Sequence, residues 1–267
     1  MKRKTTPTMA GTSLFSPIWV IAKNTYRELI RERLLYGVFL IAALVTALSF
    51  FLSTVSLGQN ARILHNIGLA TIHLFTLFIL IFVTTNSITK DLDKRTVYFL
   101  FPKPITRGQY VLGKYVGLIF LLLTTLVILG GLFLMGVFFT EKSLVLPAVT
   151  NLAFSFLEIS LLIALAQLFA SFTAPLNASL YSIALYIIGH SLTLLRDFLA
   201  EQGSALVSVI NACYYILPNL EKFDIRAATL YGIPLGSSQV MWTIGYWAVY
   251  TGLALFLTTQ VIRKREF

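Results

Sequence analysis

Several apolar runs in this chain approach or exceed the roughly 20 residues that a helix needs to cross a bilayer, and they leave little freedom of fold. Hydrocarbon offers no partner to a backbone N–H or C=O, so a crossing segment is a helix or part of a closed barrel. Barrel strands alternate apolar and polar residues. These runs are continuous, so the spans are expected to be helices. Composition agrees: 57% of the residues are hydrophobic and 12% charged, against about 25% charged in an ordinary soluble domain. The expected fold class is an all-α integral membrane protein, one membrane domain over residues 1–267 with no room for a second folded domain. Six spans are expected, at Tyr36–Ser56, Gly68–Ile88, Val111–Phe139, Leu152–Phe172, Ala178–Leu195 and Gln239–Ile262. The third is long enough to tilt or to project beyond the bilayer. The fourth and fifth are separated only by a tight turn around Pro175.

Positive charge sets the orientation of such a bundle. Fifteen of the 21 Lys and Arg fall in the segment before the first span, between the second and third spans, or after the sixth, and Lys114, just inside the third span at the same end, makes sixteen. The other side carries five, Arg62, Lys142, Arg196, Lys222 and Arg226, matched by the acids Glu141, Asp197, Glu201, Glu221 and Asp224. Both termini and the second connection are therefore expected in the cytoplasm, in the inner membrane of a cell. The net charge of +10 is a topology signal, and no nucleic-acid partner is expected. The basic N-terminus continues into polar residues rather than an apolar core, so it does not read as a cleaved signal peptide. Cys213 is the single cysteine, which excludes an intrachain disulfide or a thiolate cluster; no metal site is expected.

Residues 1–15 read as a cytoplasmic tail and 16–34 as an interfacial elbow helix, with Ser16 as N-cap and Pro17 at the first helical position. Ile18, Ile21, Ala22 and Leu29 fall on one face of its wheel, and Lys23, Arg27 and Arg31 on the other, toward anionic headgroups. The elbow is either a plain anchor or, through Arg27, Glu28 and Arg31, also a contact for a cytoplasmic partner. Residues 197–238 are too apolar for a plain loop. They read as a re-entrant external segment of one or two short helices, with Leu217–Asp224 as its turn. Pro218 and Asn219 make it a candidate external gate; a packed cap is the plain alternative. Glu158 is the one acid inside an expected span, and an intramembrane acid is a functional hypothesis by default. Its plain alternative is a helix fastener bonded to His73, His190 or Gln167. His65 falls on the short external loop and is expected to be solvated. Gly113-x-x-x-Gly117 permits a close helix approach.

The polar island Thr89–Tyr115 interrupts the apolar pattern. It holds Asp91 and Asp93, the aromatics Tyr98, Phe99 and Phe101, and a double break at Pro102 and Pro104. The second span can run on as a helix to that break, and Thr106 can cap a fresh helix entering the third span. Apolar side chains rimmed by charge mark an interface; the plain alternative, aromatics lying in the headgroup region, does not explain the acid pair and the double break together. Within the island, Gly108 to Lys114 matches G-x-x-x-x-G-K. Tyr115 then stands where a P-loop needs Ser or Thr, and no strand precedes it. The chain is thus expected to hold no nucleotide. No HExxH or GxSxG pattern appears either.

The island's D-x-D-K-R-T-V-Y-F-L-F-P-K-P-I-T-R-x-x-Y-V-x-G-K resembles the cytoplasmic signature of ABC-2 type transporter permeases. The elbow, the LPNLEKFD stretch and the basic-aromatic tail Arg263–Phe267 are similar too. The nearest resemblance is to the permease group that includes the nitrous-oxide-reductase maturation permease. An Asp pair stands where many relatives carry Glu. The resemblance implies a half-transporter: a permease that pairs with a second copy as a homodimer, with a separate ATPase subunit under each. ATP and magnesium would sit on that partner, and this chain would hold no cofactor and would not by itself be an enzyme. Residues 89–110 would be the coupling segment, with Asp91, Asp93, Arg95, Thr96, Tyr98, Phe99, Phe101, Pro104 and Arg107 at the ATPase. Export is the usual direction in the family. Two other readings stand beside it: a membrane-embedded enzyme using Glu158, His73 and His190, which requires three spans to converge, and an ion-driven secondary transporter, which favours broken helices and more intramembrane charge.

Overall fold

The computed structural model describes residues 15–32, 36–37, 39–40, 42–47, 60–93, 105–140, 145–201, 211 and 214–264. Among these residues all regular structure is helical. In chain order the elements are α1 (Phe15–Leu29), α2 (Asn60–Asp93), α3 (Arg107–Thr140), α4 (Val145–Ala170), α5 (Pro175–Glu201), a 3-10 turn at Leu220–Phe223, the short α6 (Arg226–Leu230) and α7 (Ser237–Lys264). Five of them, α2 to α5 and α7, are long and apolar enough to cross a membrane. Of the first expected span, residues 36–37, 39–40 and 42–47 are helical; the remainder of Tyr36–Ser56 lies outside the described residues.

The helices overrun the expected spans at nearly every end. Hydropathy marks only the length immersed in hydrocarbon, whereas the i→i−4 ladder continues until a breaker stops it. α2 and α3, at 34 residues each, are about 51 Å long against a hydrocarbon core of about 30 Å. Pro175 opens α5 at the position where its missing N–H costs nothing. Just before it the chain reverses within four residues, with Ser171 N donating to Gln167 O and Thr173 N to Phe169 O, both at 3.1 Å.

α4 is the central helix, packed against α2, α3, α5 and α7. All seven residues from Glu158 to Ala164 are buried, so every face is covered over nearly two turns. That is the expected place for a helix apolar all round. α7 is peripheral and turns Trp242, Val249, Leu253 and Phe256 outward, side chains suited to lipid. Cross-links between helices are single polar contacts: Trp247 Nε1 donates to Ser160 Oγ at 2.7 Å, and Thr85 Oγ1 meets Ser179 Oγ at 2.7 Å. In a membrane such bonds average about 0.6 kcal/mol each.

At one end of the bundle the 3-10 turn packs onto α4 and α5, and α6 onto α2 and α4. Pro218 and Asn219 are both buried there. Asn219 caps the turn by accepting from Glu221 N, donates through Nδ2 to Thr193, and gives its own N–H to Tyr246 Oη at 2.7 Å. Gly189 makes room for this turn, because a Cβ there would stand 2.8 Å from the Leu220 side chain and 2.9 Å from Pro218 O. Residues 202–210 and 212–213 of the expected re-entrant segment lie outside the described residues. His65 is not solvated as expected. α2 begins five residues before it, so His65 sits in the second turn of a helix, fully buried, with Nε2 3.4 Å from Asn151 Nδ2.

Candidate functional site

Two groups of polar side chains stand out against the apolar bundle. The first lies where α2 ends and α3 begins. Ser87 and Asp91 are one turn apart on α2; Tyr110 and Lys114 are one turn apart on α3. The i, i+4 spacing sets each pair on one face of its helix, and the two faces meet. Lys114 Nζ lies 2.6 Å from Asp91 Oδ2 and donates to Ser87 Oγ at 3.0 Å. Tyr110 Oη donates to the same carboxylate oxygen at 2.8 Å. The Asp91 side chain is 14% exposed and that of Lys114 5%. Asp91 is thus turned into the bundle, clasping the two arms of the island, and does not present its carboxylate at an outer face. Ser87 is not singled out by the sequence and Tyr110 enters there only as the Tyr of the island's signature, although the matched i, i+4 pairs on either side of the island are a legible signal.

α3 starts with a reciprocal capping box: Gln109 N donates to Thr106 Oγ1 at 3.3 Å, and Thr106 N to Gln109 Oε1 at 2.9 Å. The next residue, Arg107, donates from Nη1 to the carbonyls of Ile262 and Arg263, each at 2.6 Å. A guanidinium on the last carbonyls of α7 satisfies acceptors that lack intrahelical partners and complements the negative end of the helix dipole. One residue therefore joins the exit of the island to the last turn of α7. Of the remaining expected coupling residues, Asp93 ends α2; Arg95, Thr96, Tyr98, Phe99, Phe101 and Pro104 lie outside the described residues.

α1 lies along α3. Ile21, Ala22, Thr25 and Leu29 are buried, and the contact is close because Gly113 and Gly117 have no side chains. A Cβ at Gly113 would stand 2.7 Å from Ile21 Cβ, and one at Gly117 2.8 Å from Ala22 O. Tyr26 Oη and Thr124 Oγ1 add a hydrogen bond at 3.0 Å. Arg27 and Arg31 are exposed, and Glu28 reaches Lys90 of α2 at 3.6 Å, an exposed pair of the kind worth under about 1 kcal/mol.

The second group lies inside the bundle. Glu158 of α4 is buried, and His73 of α2 and His190 of α5 both turn toward its Oε1, with Nε2 at 3.6 and 2.6 Å. Three spans do converge on this carboxyl. Tyr186, one turn before His190, packs edge-on against that imidazole with ring centroids 4.7 Å apart, and lies 6.0 Å from the ring of His73. Gln167, an expected partner of Glu158, instead donates to Val111 O at 3.1 Å. The 2.6 Å hydrogen bond between Glu158 and His190 fastens α4 to α5, and His73 sets α2 beside them.

Above this group sits the Asp224–Arg226 pair, with Nη2 2.5 Å from Oδ2. Partial burial works to raise the Asp224 carboxyl, and the hydrogen bonds and charge of Arg226 outweigh it, leaving its pKa below the ordinary value. Arg226 is raised in return, first by its hydrogen bond to Asp224 and in lesser part by the fields of Tyr186 and Glu158. At the same end Asn151 Nδ2 donates to Thr229 Oγ1 at 2.5 Å, tying α4 to α6. Among the described residues no cluster of His, Cys, Asp and Glu has the geometry to hold a metal ion.

No curated protein gives a significant match to the chain. The family model described as ABC-2 family transporter protein matches residues 19–193. That match runs from α1 through His190, and includes the clasped arms and all three members of the Glu158 group. With its five apolar helices of spanning length, the chain is a multi-pass membrane protein, and it belongs to the ABC-2 family of transporter proteins.

Proposed function

We propose that this permease is the membrane half of an ATP-driven exporter, and that residues 94–106 are the element through which a separate ATPase subunit moves it. The carrying observation is the clasp at the base of that element. Asp91, Tyr110 and Lys114 bind its two arms together, and Arg107 binds the second arm to the end of α7. A push on the element is then delivered to α2, α3 and α7 as one body rather than absorbed by splaying of the arms. Tyr98, Phe99 and Phe101 supply the apolar surface for the partner, with Glu28, Arg27 and Arg31 of α1 alongside. The clasp and the basic residues face the cytoplasm of an inner membrane, as do both termini, by the excess of Lys and Arg at that end.

Two copies of the chain form the pathway, each with its own ATPase. ATP and magnesium bind the partner and favour its closed arrangement. The permease follows because the closed pair binds one of its conformations better than the other. The turn holding Pro218 and Asn219, seated on α5 and α7, forms the outer gate. The test is recovery of the ATPase with an affinity-tagged permease. Phe99→Asp is expected to reduce recovery at least tenfold while the permease still inserts and purifies with its partner copy. Undiminished recovery would remove the island as the docking element.

A further inference from the structure

A groove runs between α1 and α3 on the side facing away from the core. Trp19, Lys23 and Tyr26 form one wall, at the i, i+4, i+7 spacing of a single face of α1. Phe120, Leu123, Thr124, Val127 and Ile128 form the other, one face of α3. Trp19 stands edge-on to Phe120 with centroids 5.6 Å apart, and the Tyr26–Thr124 bond fixes the opposite side. The groove encloses about 480 Å³, within the usual range of about 300–1,000 Å³ for ligand sites. Trp19, Val127 and Ile128 remain exposed within it.

We propose that this groove binds one anionic phospholipid, with its phosphate on Lys23 and an acyl chain along Leu123, Val127 and Ile128. Three observations choose that occupant. The first is depth. α3 exceeds the hydrocarbon thickness by about 20 Å, and its charged residues, Arg107 and Lys114, are confined to its first eight positions. The excess therefore projects at that end, and hydrocarbon begins near Phe120. From Phe120 to Ile128 is about 12 Å, close to the half-thickness of about 15 Å of one leaflet. The second is chemistry along that depth. Among the described residues the only cation of the lining is Lys23, on the helix nearer the charged end, and the α3 wall is apolar apart from Thr124, already bonded to Tyr26. A charged head over an apolar tail is the order found in a lipid. The third is charge. Arg27 follows Lys23 by one turn and is exposed, while Glu28, the single acid of α1, is engaged by Lys90. A headgroup with its own ammonium competes with these cations, and one without it does not.

The test uses Trp19 as reporter in the full chain, with Trp242 and Trp247 of α7 replaced by Phe. The protein is reconstituted in phosphatidylcholine vesicles carrying either brominated phosphatidylglycerol or brominated phosphatidylcholine. Phosphatidylglycerol is expected to half-quench Trp19 at about a fivefold lower mole fraction, the preference that one lysine near a lipid surface confers. Lys23→Glu should bring the two curves together, and Lys23→Arg should keep them apart. Coincident curves in the parent overturn the proposal, as does a separation that survives Lys23→Glu. Absence of quenching by either lipid also overturns it, since protein then covers the groove. Should the double Phe background fail to fold, native mass spectrometry of the chain with all its tryptophans decides the same question. One retained phosphatidylglycerol is expected, lost when Val127→Trp fills the groove; no retention, or retention in that variant, overturns the assignment.

Discussion

Asp91 shows how one residue's environment redirects its role. From the sequence, an acid in a polar island is surface for a partner. In the fold its carboxylate takes Lys114 and Tyr110 on one oxygen, at 2.6 and 2.8 Å. Forming such a pair gains little net energy against desolvation, but removing one member strands the other and costs about 3–5 kcal/mol. Lys114→Ala should therefore lower the thermal midpoint in detergent strongly, whereas Asp91→Ala with Lys114→Ala should recover most of the loss. The double-mutant cycle is expected to give a coupling above about 2 kcal/mol. Additive losses would mean that the two charges do not act as a pair and that the arms are held by packing alone. Lys114 also explains the partial P-loop match. Its glycine, Gly113, admits α1, and its lysine answers Asp91, so each half of the motif has a packing or charge role in a helix.

Among the elements, long helices were legible and their neighbours were not. An apolar run reports that a segment is immersed; it does not say in what. α4 and α7 both read as spans from the sequence, yet α4 is buried over Glu158–Ala164 while α7 turns Trp242 and Phe256 outward. His65 was misplaced for a related reason, because a polar residue near the end of an apolar run looks like loop unless its buried partner, Asn151, is in view. The capping of α3 by Thr106 was readable, since a capping box is local. The close approach at Gly113 and Gly117 was readable as a possibility, and only the fold identifies α1 as the helix received. Gly117→Val should test that contact. Its Cβ would meet Ala22 O, a backbone atom that cannot rotate away, so α1 must shift at a cost of about 1–3 kcal/mol. Limited trypsin digestion should then cut faster at Lys23 and Arg27. Gly131→Ala, with nothing within 4 Å of its new methyl, should leave the digestion pattern unchanged. Equal cleavage in both variants would show that α1 is not held by this packing.

At the scale of the whole molecule, α5 connects what the bundle holds inside to what closes its end. Gly189, His190 and Thr193 fall within little more than one turn: the first and third seat the turn around Asn219, and the second is bonded to Glu158. The cap and the buried carboxyl of Glu158 are therefore joined through a single helical turn of α5. Three positions as distant as 73, 158 and 190 carry no shared periodicity, so the sequence offers His73 and His190 only as candidate partners beside Gln167, and the fold selects the two histidines. Two substitutions separate a fastener from a working carboxylate. Glu158→Gln keeps an oxygen for His190 and should cost about 1 kcal/mol or less. Glu158→Leu takes the acceptor from the part-buried His190 and leaves the buried His73 facing an apolar side chain, and should cost about 2–3 kcal/mol, seen as a lower midpoint. If the group only fastens helices, transport in proteoliposomes should follow these stabilities, near normal for Gln and impaired for Leu. Loss of transport in Glu158→Gln, with the midpoint and recovery of the ATPase intact, would instead give the carboxyl's proton a part in the transport cycle.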